Sequence, residues 1–114
     1  MIAVIFEVTP TPEGKQEYLS IAADLKGYLK DVPGFISIER FQSMADERKI
    51  LSLSFWESEE SIAQWRNLEQ HRLAQKKGRE SLFHDYRIRV GTIVRDYSLN
   101  NRRETPEDSR TVHK

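Results

Sequence analysis

The sequence predicts an α+β fold in which the elements follow in the order strand, helix, strand, strand, helix, strand. Short runs of β-branched and aromatic residues mark the strands. Two segments carry the three- and four-residue apolar spacing of amphipathic helices, and a polar connection separates the two middle strands. This order predicts a ferredoxin-like βαββαβ domain, a four-stranded antiparallel sheet with both helices on one face.

The first strand and helix are marked by their breakers. Ile2–Val8 is an apolar run that ends at a Thr-Pro-Thr-Pro sequence, which predicts a buried strand. Thr11, Pro12 and Glu13 predict a helix start, with a capping hydroxyl, a proline at the first helical position and an acid near the positive helix end. Asp31–Gly34 ends the helix. Its apolar stripe consists of Tyr18, Ile21, Ala22, Leu25 and Leu29.

The middle of the chain predicts a β-hairpin. Phe35–Ser43 and Lys49–Trp56 are the strands, and Met44–Arg48 is the polar connection between them. Side chains of the second strand alternate between an apolar and a mixed face. The apolar face carries Leu51, Leu53 and Phe55, and the mixed face carries Ser52, Ser54 and Trp56.

The second helix begins after Ser58, a cap residue that is followed by Glu59 and Glu60 in the first turn. We expect its inward face to carry Ile62, Trp65 and Leu68. A separate helical piece is predicted over Gln70–Gly78, with the glycine as its stop.

The last strand is predicted from a long alternation of side chains. One face carries Tyr86, Ile88, Val90, Thr92 and Val94, and the other carries Arg87, Arg89, Gly91, Ile93 and Arg95. From Leu99 onward apolar residues are almost absent, which predicts a flexible polar tail. The expected organisation is one domain over residues 1–98 and a tail over 99–114.

Composition excludes several classes of function. Lys and Arg total 18 and Asp and Glu total 18, so the chain lacks the basic excess typical of nucleic-acid binders. Without cysteine there is no disulfide, thiolate nucleophile or Cys-ligated metal. The apolar opening is too short for a signal peptide and no run could span a bilayer, so we expect a cytoplasmic protein that does not engage membranes.

Four segments resemble the antibiotic-biosynthesis-monooxygenase (ABM) family in order and spacing. They are IAVIFEV, PGFISIERF, LSLSFWESEESIAQW and RIRVGTIVRDY. The resemblance implies a dimeric α/β barrel, in which two protomers join through their sheets and each keeps a cavity between its sheet and helices. The strand composition points the same way, because strands that are apolar on both faces need a cover on the side without helices. We therefore expect a homodimer that binds a small-molecule substrate.

One branch of the family degrades haem. It uses an Asn in the first strand, a Trp on the second helix and, ten residues later, a His that binds iron. Trp65 stands at the Trp position, but Glu7 and Gln75 stand at the other two. Glutamine is a poor iron ligand, so the resemblance argues against haem. His71, one helical turn earlier, is the alternative iron ligand, because imidazole suits iron. No His or carboxylate pair has metal-binding spacing, so we expect no metal and no cofactor.

A second branch oxidises polyketides without metal or flavin. It needs a proton acceptor and a cation that holds an oxyanion, inside a dry pocket. Trp65 again matches, and His71 stands where that branch has an aromatic hydroxyl six residues after the Trp. A late Arg contributes in that branch, and Arg87 or Arg89 occupies roughly that place. The resemblance thus implies Trp65, His71 and Arg87 as catalytic residues.

Each of these residues also has a purely structural interpretation. Trp65 fits an ordinary core position, and His71 fits a partly exposed helix junction. The last-strand arginines could simply pair with acids such as Glu7. The functional hypotheses are accordingly a cofactor-independent monooxygenase acting on an aromatic or quinol-like molecule, a haem-binding or haem-degrading protein, and a dimer that binds a small ligand without turning it over.

Overall fold

The computed structural model describes the backbone of residues 1–76 and 82–112 and the side chains of residues 1–68 and 82–109. The predicted βαββαβ order is confirmed, and a short helix follows it in the tail. The elements are β1 (Ile2–Pro10), α1 (Lys15–Leu29), β2 (Phe35–Gln42), β3 (Ile50–Trp56), α2 (Glu59–Lys76), β4 (Phe83–Thr92) and α3 (Glu107–Val112).

The strands form one antiparallel sheet in the order β2-β3-β1-β4, as predicted. Helices α1 and α2 pack against one face of this sheet, and the main core lies between the two layers. The core is centred on Trp56, which has no exposed surface. Its other buried members are Ile21, Leu25, Leu29, Ile62, Trp65 and Leu82.

The predicted alternation along β3 separates the two faces of the sheet. Ser52, Ser54 and Trp56 are buried on the helix-facing side. Leu51, Leu53 and Phe55 are only half-buried, because they point to the face on which neither α1 nor α2 packs. We call this second face the outer face.

The hairpin between β2 and β3 is also confirmed. The Ser43 amide donates to the Lys49 carbonyl at 3.0 Å across the connection. Within it, Nε and the amide of Arg48 donate to Oδ1 of Asp46 at 3.1 and 3.0 Å. These hydrogen bonds hold the pKa of the Asp46 carboxyl below its ordinary value.

Helix α1 begins later than the sequence predicts. Its cap residue is Gly14, and the Thr11 hydroxyl accepts the Gly14 amide at 2.9 Å in a turn that precedes the helix. The reason is tertiary: the Thr11 amide donates to the Leu82 carbonyl at 2.8 Å, so residue 11 is tied to the segment before β4. A capping hydroxyl followed by proline is compatible with both arrangements.

Helix α2 is continuous where the sequence predicted two pieces. It runs unbroken over Glu59–Lys76, so the break expected near Gln70 is wrong. The segment contains no glycine or proline and is rich in Glu, Gln, Arg and Leu, all good helix formers. The predicted cap is confirmed, since the Ser61 amide donates to the Ser58 hydroxyl at 3.5 Å. The predicted stop at Gly78 lies outside the described residues.

Strand β4 is shifted relative to the prediction. It begins at Phe83 and ends at Thr92, so Arg95 lies beyond it. The register explains this end, because Thr92 pairs with Ile2 at the beginning of β1 and only one further backbone bond, from Ile93 to Met1, can form.

The tail has local structure over its described part. The Arg102 guanidinium lies 5.5 Å from the centre of the Tyr97 ring, and its Nη1 donates to the Ser98 carbonyl at 3.4 Å. Thr105 is buried, and α3 follows it. The sequence offered only polarity here, and the flexibility of this tail stays a prediction.

Candidate functional site

The floor of a cavity is formed by the helix-facing side of the sheet. Antiparallel pairing places side chains of all four strands in rows across it, with neighbours about 5 Å apart. One row consists of Arg40, Ser52, Phe6 and Ile88. The adjacent row consists of Ile38, Ser54, Val4 and Val90. The floor is therefore polar toward β2 and β3 and apolar toward β1 and β4.

The roof of this cavity comes from the two helices. Helix α1 contributes Tyr18, Ile21 and Leu25, and α2 contributes Ile62 and Trp65. Their three- and four-residue spacing directs them to the same side of each helix, as the sequence predicts. Phe83, at the beginning of β4, closes one wall and lies edge-on to Tyr18, with 5.5 Å between the ring centres. The resulting cavity has a volume of about 100 Å³.

The two tryptophans of the core play different parts. The Trp56 indole donates its N–H to the Ser54 hydroxyl at 2.8 Å and does not itself line the cavity. Trp65 lies 6.4 Å from Trp56, ring centre to ring centre, and is 8% exposed. It lines the cavity, and its indole makes no hydrogen bond to another described residue. Trp65 is thus both a packed core residue and a wall of the site.

The mouth of the cavity lies at the β4 edge of the sheet. Ile88 and Val90 line the cavity and are 52% and 46% exposed. Tyr86, two residues before Ile88 on the same side of β4, is also exposed. An apolar entrance of this kind suits an apolar ligand.

The polar groups of the cavity are basic or neutral. Arg40 and Arg66 line it together with the hydroxyls of Ser52 and Ser54. Nε of Arg40 is buried and has no hydrogen-bond partner in the described part of the chain. No Asp or Glu is among the described lining residues. Among the described residues, the lining therefore combines apolar walls with two arginines and no acid.

A wider depression of about 550 Å³ lies at the loop between β1 and α1. It is lined mainly by polar and charged residues, including Glu13, Lys15, Arg48 and His84. Because most of its lining side chains are polar or charged and Trp65 is not among them, it makes a poorer site for a small organic molecule than the cavity between sheet and helices.

Of the three predicted catalytic residues, one is among the described residues that line this cavity. Trp65 lines it, whereas the side chain of His71 on α2 lies outside the described residues. Arg87 pairs in register with Glu7 and points to the outer face, where it lines a separate depression. Arg87 and Trp65 are therefore on opposite sides of the sheet, and the expectation that they share one site is corrected.

The structural interpretation of the last-strand arginines holds for Arg89. Its Nη1 lies 3.5 Å from Oε1 of Glu7, and both side chains are partly exposed. An exposed pair of this kind contributes about 0–1 kcal/mol. Glu7, at the position that the haem branch gives to Asn, thus has a structural partner on the outer face. Gln75, the other haem-related position, lies outside the described side chains.

Arg40 and Ser52 are site residues that the sequence did not single out. Strand β2 carries charged residues on both faces, and its register shifts between Phe35 and Ser37, so alternation alone does not say whether Arg40 or Glu39 faces the helices. For Ser52 the signal was present, since Ser52, Ser54 and Trp56 share the mixed face.

Among the described residues there is no cluster of three or more His, Cys, Asp or Glu that could hold a metal ion. Within the same part of the chain no helix has the length and apolarity to cross a membrane.

The fold and the cavity define an ABM-type domain, and the chain belongs to that family. The family model described as antibiotic biosynthesis monooxygenase matches residues 1–77. That span covers β1 through α2, and it therefore includes Arg40, Ser52 and Trp65 but not β4.

Two related sequences and one solved structure illustrate the relationship. The chain is 42% identical over 100 residues to jasmonate monooxygenase ABM of Pyricularia oryzae, which covers 88% of this chain but 46% of that protein. It is 33% identical over 93 residues to the uncharacterized protein YqjZ of Bacillus subtilis, covering 82% of this chain and 79% of the relative. Rv0793 of Mycobacterium tuberculosis superimposes with a TM-score of 0.71 at 15% identity, covering 85% of this chain and 98% of that chain. The chain therefore spans about half the length of the Pyricularia relative.

Proposed function

We propose that this protein is a monooxygenase that binds a small, mainly apolar organic molecule in the cavity beside Trp65. The observation that carries the proposal is the cavity itself, enclosed by α1, α2 and the sheet, in a chain that belongs to the ABM family. The name of the Pyricularia relative, jasmonate monooxygenase, supports the same class of reaction.

The chemistry that suits such a cavity uses the substrate as the electron source. A carbon acid loses a proton to a base, and its carbanion passes one electron to dioxygen. The two radicals combine to a hydroperoxide, which loses water and leaves a ketone, so one oxygen atom enters the product and the other enters water. In the proposal His71 exchanges the proton, and Trp65 shapes the space that excludes water. No cofactor is part of this scheme.

The size of the cavity limits the substrate. About 100 Å³ is less than the roughly 150 Å³ cavity that takes up benzene. A fused-ring substrate would have to displace side chains such as Phe83, whereas a slender molecule can extend through the mouth between Ile88 and the roof. We therefore include jasmonate, an anthrone and a simple quinol as test substrates.

Oxygen uptake tests the proposal. We expect uptake with at least one of the three substrates, measured with an oxygen electrode with and without ascorbate as an external reductant. His71→Ala is expected to lower the rate about 100-fold, the usual range for loss of a general base, and Trp65→Phe to lower it about tenfold. His84→Ala is the matched control, because His84 is exposed and lines the depression at the β1–α1 loop and not the cavity. Uptake that is absent with all substrates, or equal in His71→Ala and His84→Ala, contradicts the proposal.

We further propose that two copies associate through the outer face. The centre of this face is apolar and includes Ile5, Leu53 and Phe55, which neither helix of the chain covers. An apolar sheet face without a covering layer is typical of an interface. Self-complementary packing of one sheet on its copy is the arrangement that a two-fold dimer requires.

The dimer predicts a mass near twice the 13.4 kDa of the chain in multi-angle light scattering at micromolar concentration. Leu53→Glu is expected to shift the protein to the monomer, because Leu53 lies between Ile5 and Glu39 in the middle of the outer face and would bring a charge into the interface. Leu19→Glu on α1, where Leu19 is 41% exposed, should leave the dimer intact. A monomeric wild type would overturn the association.

A further inference from the structure

Arg40 makes an unusual floor residue for an apolar cavity. It lies on β2 and points to the helix side, in register with Ser52 of the neighbouring strand. Its Nε is buried without a hydrogen-bond partner in the described part of the chain. Leaving a buried donor of a charged group unpaired costs more than leaving a neutral one, so such a donor calls for an acceptor. The chain's own described side chains supply none.

The surroundings of Arg40 favour a negatively charged acceptor. The Ser52 hydroxyl lies across the strand pair and makes no hydrogen bond to another described residue, whereas the Ser54 hydroxyl is already used by Trp56. Arg66 on α2 adds a second positive charge to the lining. With no acid among the described lining residues, the potential in the cavity attracts an anion.

The two halves of the cavity differ in a way that orients a ligand. Arg40 and Ser52 occupy the β2–β3 half, and Phe6 with Ile88 occupies the β1–β4 half of the same row. The apolar half is also the half that opens to the surface. A guanidinium binds a planar carboxylate through two parallel hydrogen bonds, and the carboxylate is the smallest common organic anion that makes such a pair.

We propose that Arg40, assisted by the Ser52 hydroxyl, binds the carboxylate of an otherwise apolar and slender ligand. The carbon chain of this ligand lies across Phe6 and extends to the mouth at Ile88 and Val90. That this ligand is the substrate rests on the proposed function, and Arg40 then positions the reacting carbon under Trp65. The binding site itself does not depend on turnover.

A pair of probes that differ only in the head group tests this assignment. Octanoate and 1-octanol are titrated into the full-length protein by isothermal calorimetry, with Trp fluorescence as a second readout. We expect the wild type to bind octanoate at least tenfold more tightly than octanol, because only the anion gains the charge-assisted hydrogen bonds. Arg40→Gln should abolish this preference: the affinity for octanoate should fall at least tenfold, and the affinity for octanol should change less than twofold. Arg40→Lys should retain part of it.

Three controls make the result specific. Arg48→Gln removes an exposed guanidinium outside the cavity and should change neither probe. Arg66→Gln should weaken octanoate less than Arg40→Gln, because Arg66 is exposed. A thermal-unfolding midpoint of Arg40→Gln at or above that of the wild type shows that the variant is folded. If this midpoint drops strongly, Arg40→Lys replaces Arg40→Gln in the comparison.

The outcomes separate this inference from the proposed function. No binding of octanoate by the wild type, or an equal loss for octanoate and octanol in Arg40→Gln, overturns the carboxylate site. Selective octanoate binding in a protein that consumes no oxygen keeps the site and refutes the monooxygenase. Oxygen uptake on a neutral substrate, in a protein that shows no preference for octanoate, supports the monooxygenase and refutes the carboxylate site.

Discussion

Replacing Trp56 by alanine is expected to lower the free energy of unfolding by about 3–5 kcal/mol, the range for removing a buried aromatic side chain. Trp56 has no exposed surface and lies at the end of β3, where it pairs with Ile2 on one side and Phe35 on the other. Its ring contacts Phe35 at 5.3 Å and Trp65 at 6.4 Å between centres. The truncation therefore leaves a cavity where three strands and α2 meet.

Urea denaturation followed by circular dichroism measures this loss, at one fixed protein concentration because a dimer gains apparent stability with concentration. Ser54→Ala separates the packing from the hydrogen bond, since it leaves the indole N–H unpaired and should cost about 1–3 kcal/mol. Tyr28→Ala is the control at an aromatic residue that is 42% exposed, and it should cost less than about 1 kcal/mol. A Trp56→Ala variant no less stable than Tyr28→Ala would show that the core is not centred on Trp56.

The sequence predicts the strands and their faces well because alternation is a local property. Ser52, Ser54 and Trp56 differ so clearly from Leu51, Leu53 and Phe55 that the two faces of β3 follow from spacing alone. The same holds for the stripe of α1. These predictions required only knowledge of which residues are apolar.

The ends of the elements could not be predicted in the same way. Helix α1 begins at Lys15 because Thr11 is held by Leu82, a residue 71 positions away in the sequence. Strand β4 ends at Thr92 because β1 begins at Ile2. Both limits are set by partners distant in the chain, and local propensity carries no information about them.

Which residues line the cavity depends on the register of the strands. Alternation along β4 assigns Arg87 and Ile88 to opposite faces, but the resemblance to the polyketide-oxidising branch favoured the arginine for the site. The structure directs Ile88 to the cavity and Arg87 to the outer face. In β2 the irregular pairing after Phe35 decides that Arg40 belongs to the floor. A single shift in pairing would have exchanged Arg40 for Glu39 and reversed the charge of the site.

Gly34→Ala is expected to lower the free energy of unfolding by at least about 2 kcal/mol, because an alanine there meets both backbone strain and a steric clash. Gly34 has a φ of +87° at the turn between α1 and β2. A Cβ on it would lie 2.0 Å from the Ser61 hydroxyl and 3.0 Å from Ser61 Cβ. The Gly34 carbonyl also accepts the Glu57 amide at 2.8 Å, so this turn holds the beginning of α2 against the sheet.

Gly27→Ala is the matched control, since Gly27 lies within α1 and a Cβ there meets nothing within 4 Å. It should raise the free energy of unfolding by about 0.5–1 kcal/mol, the difference in helix propensity between the two residues. The two variants thus make the same chemical change with opposite signs in one denaturation experiment. Because Ser61 adjoins Ile62 and precedes Trp65 by about one helical turn, the displaced α2 of Gly34→Ala should also weaken octanoate binding, whereas Gly27→Ala should bind as the wild type does. Equal stability of the two variants would show that the turn accommodates an alanine at residue 34 without moving α2. The position of Trp65 would then depend on core packing and not on this turn.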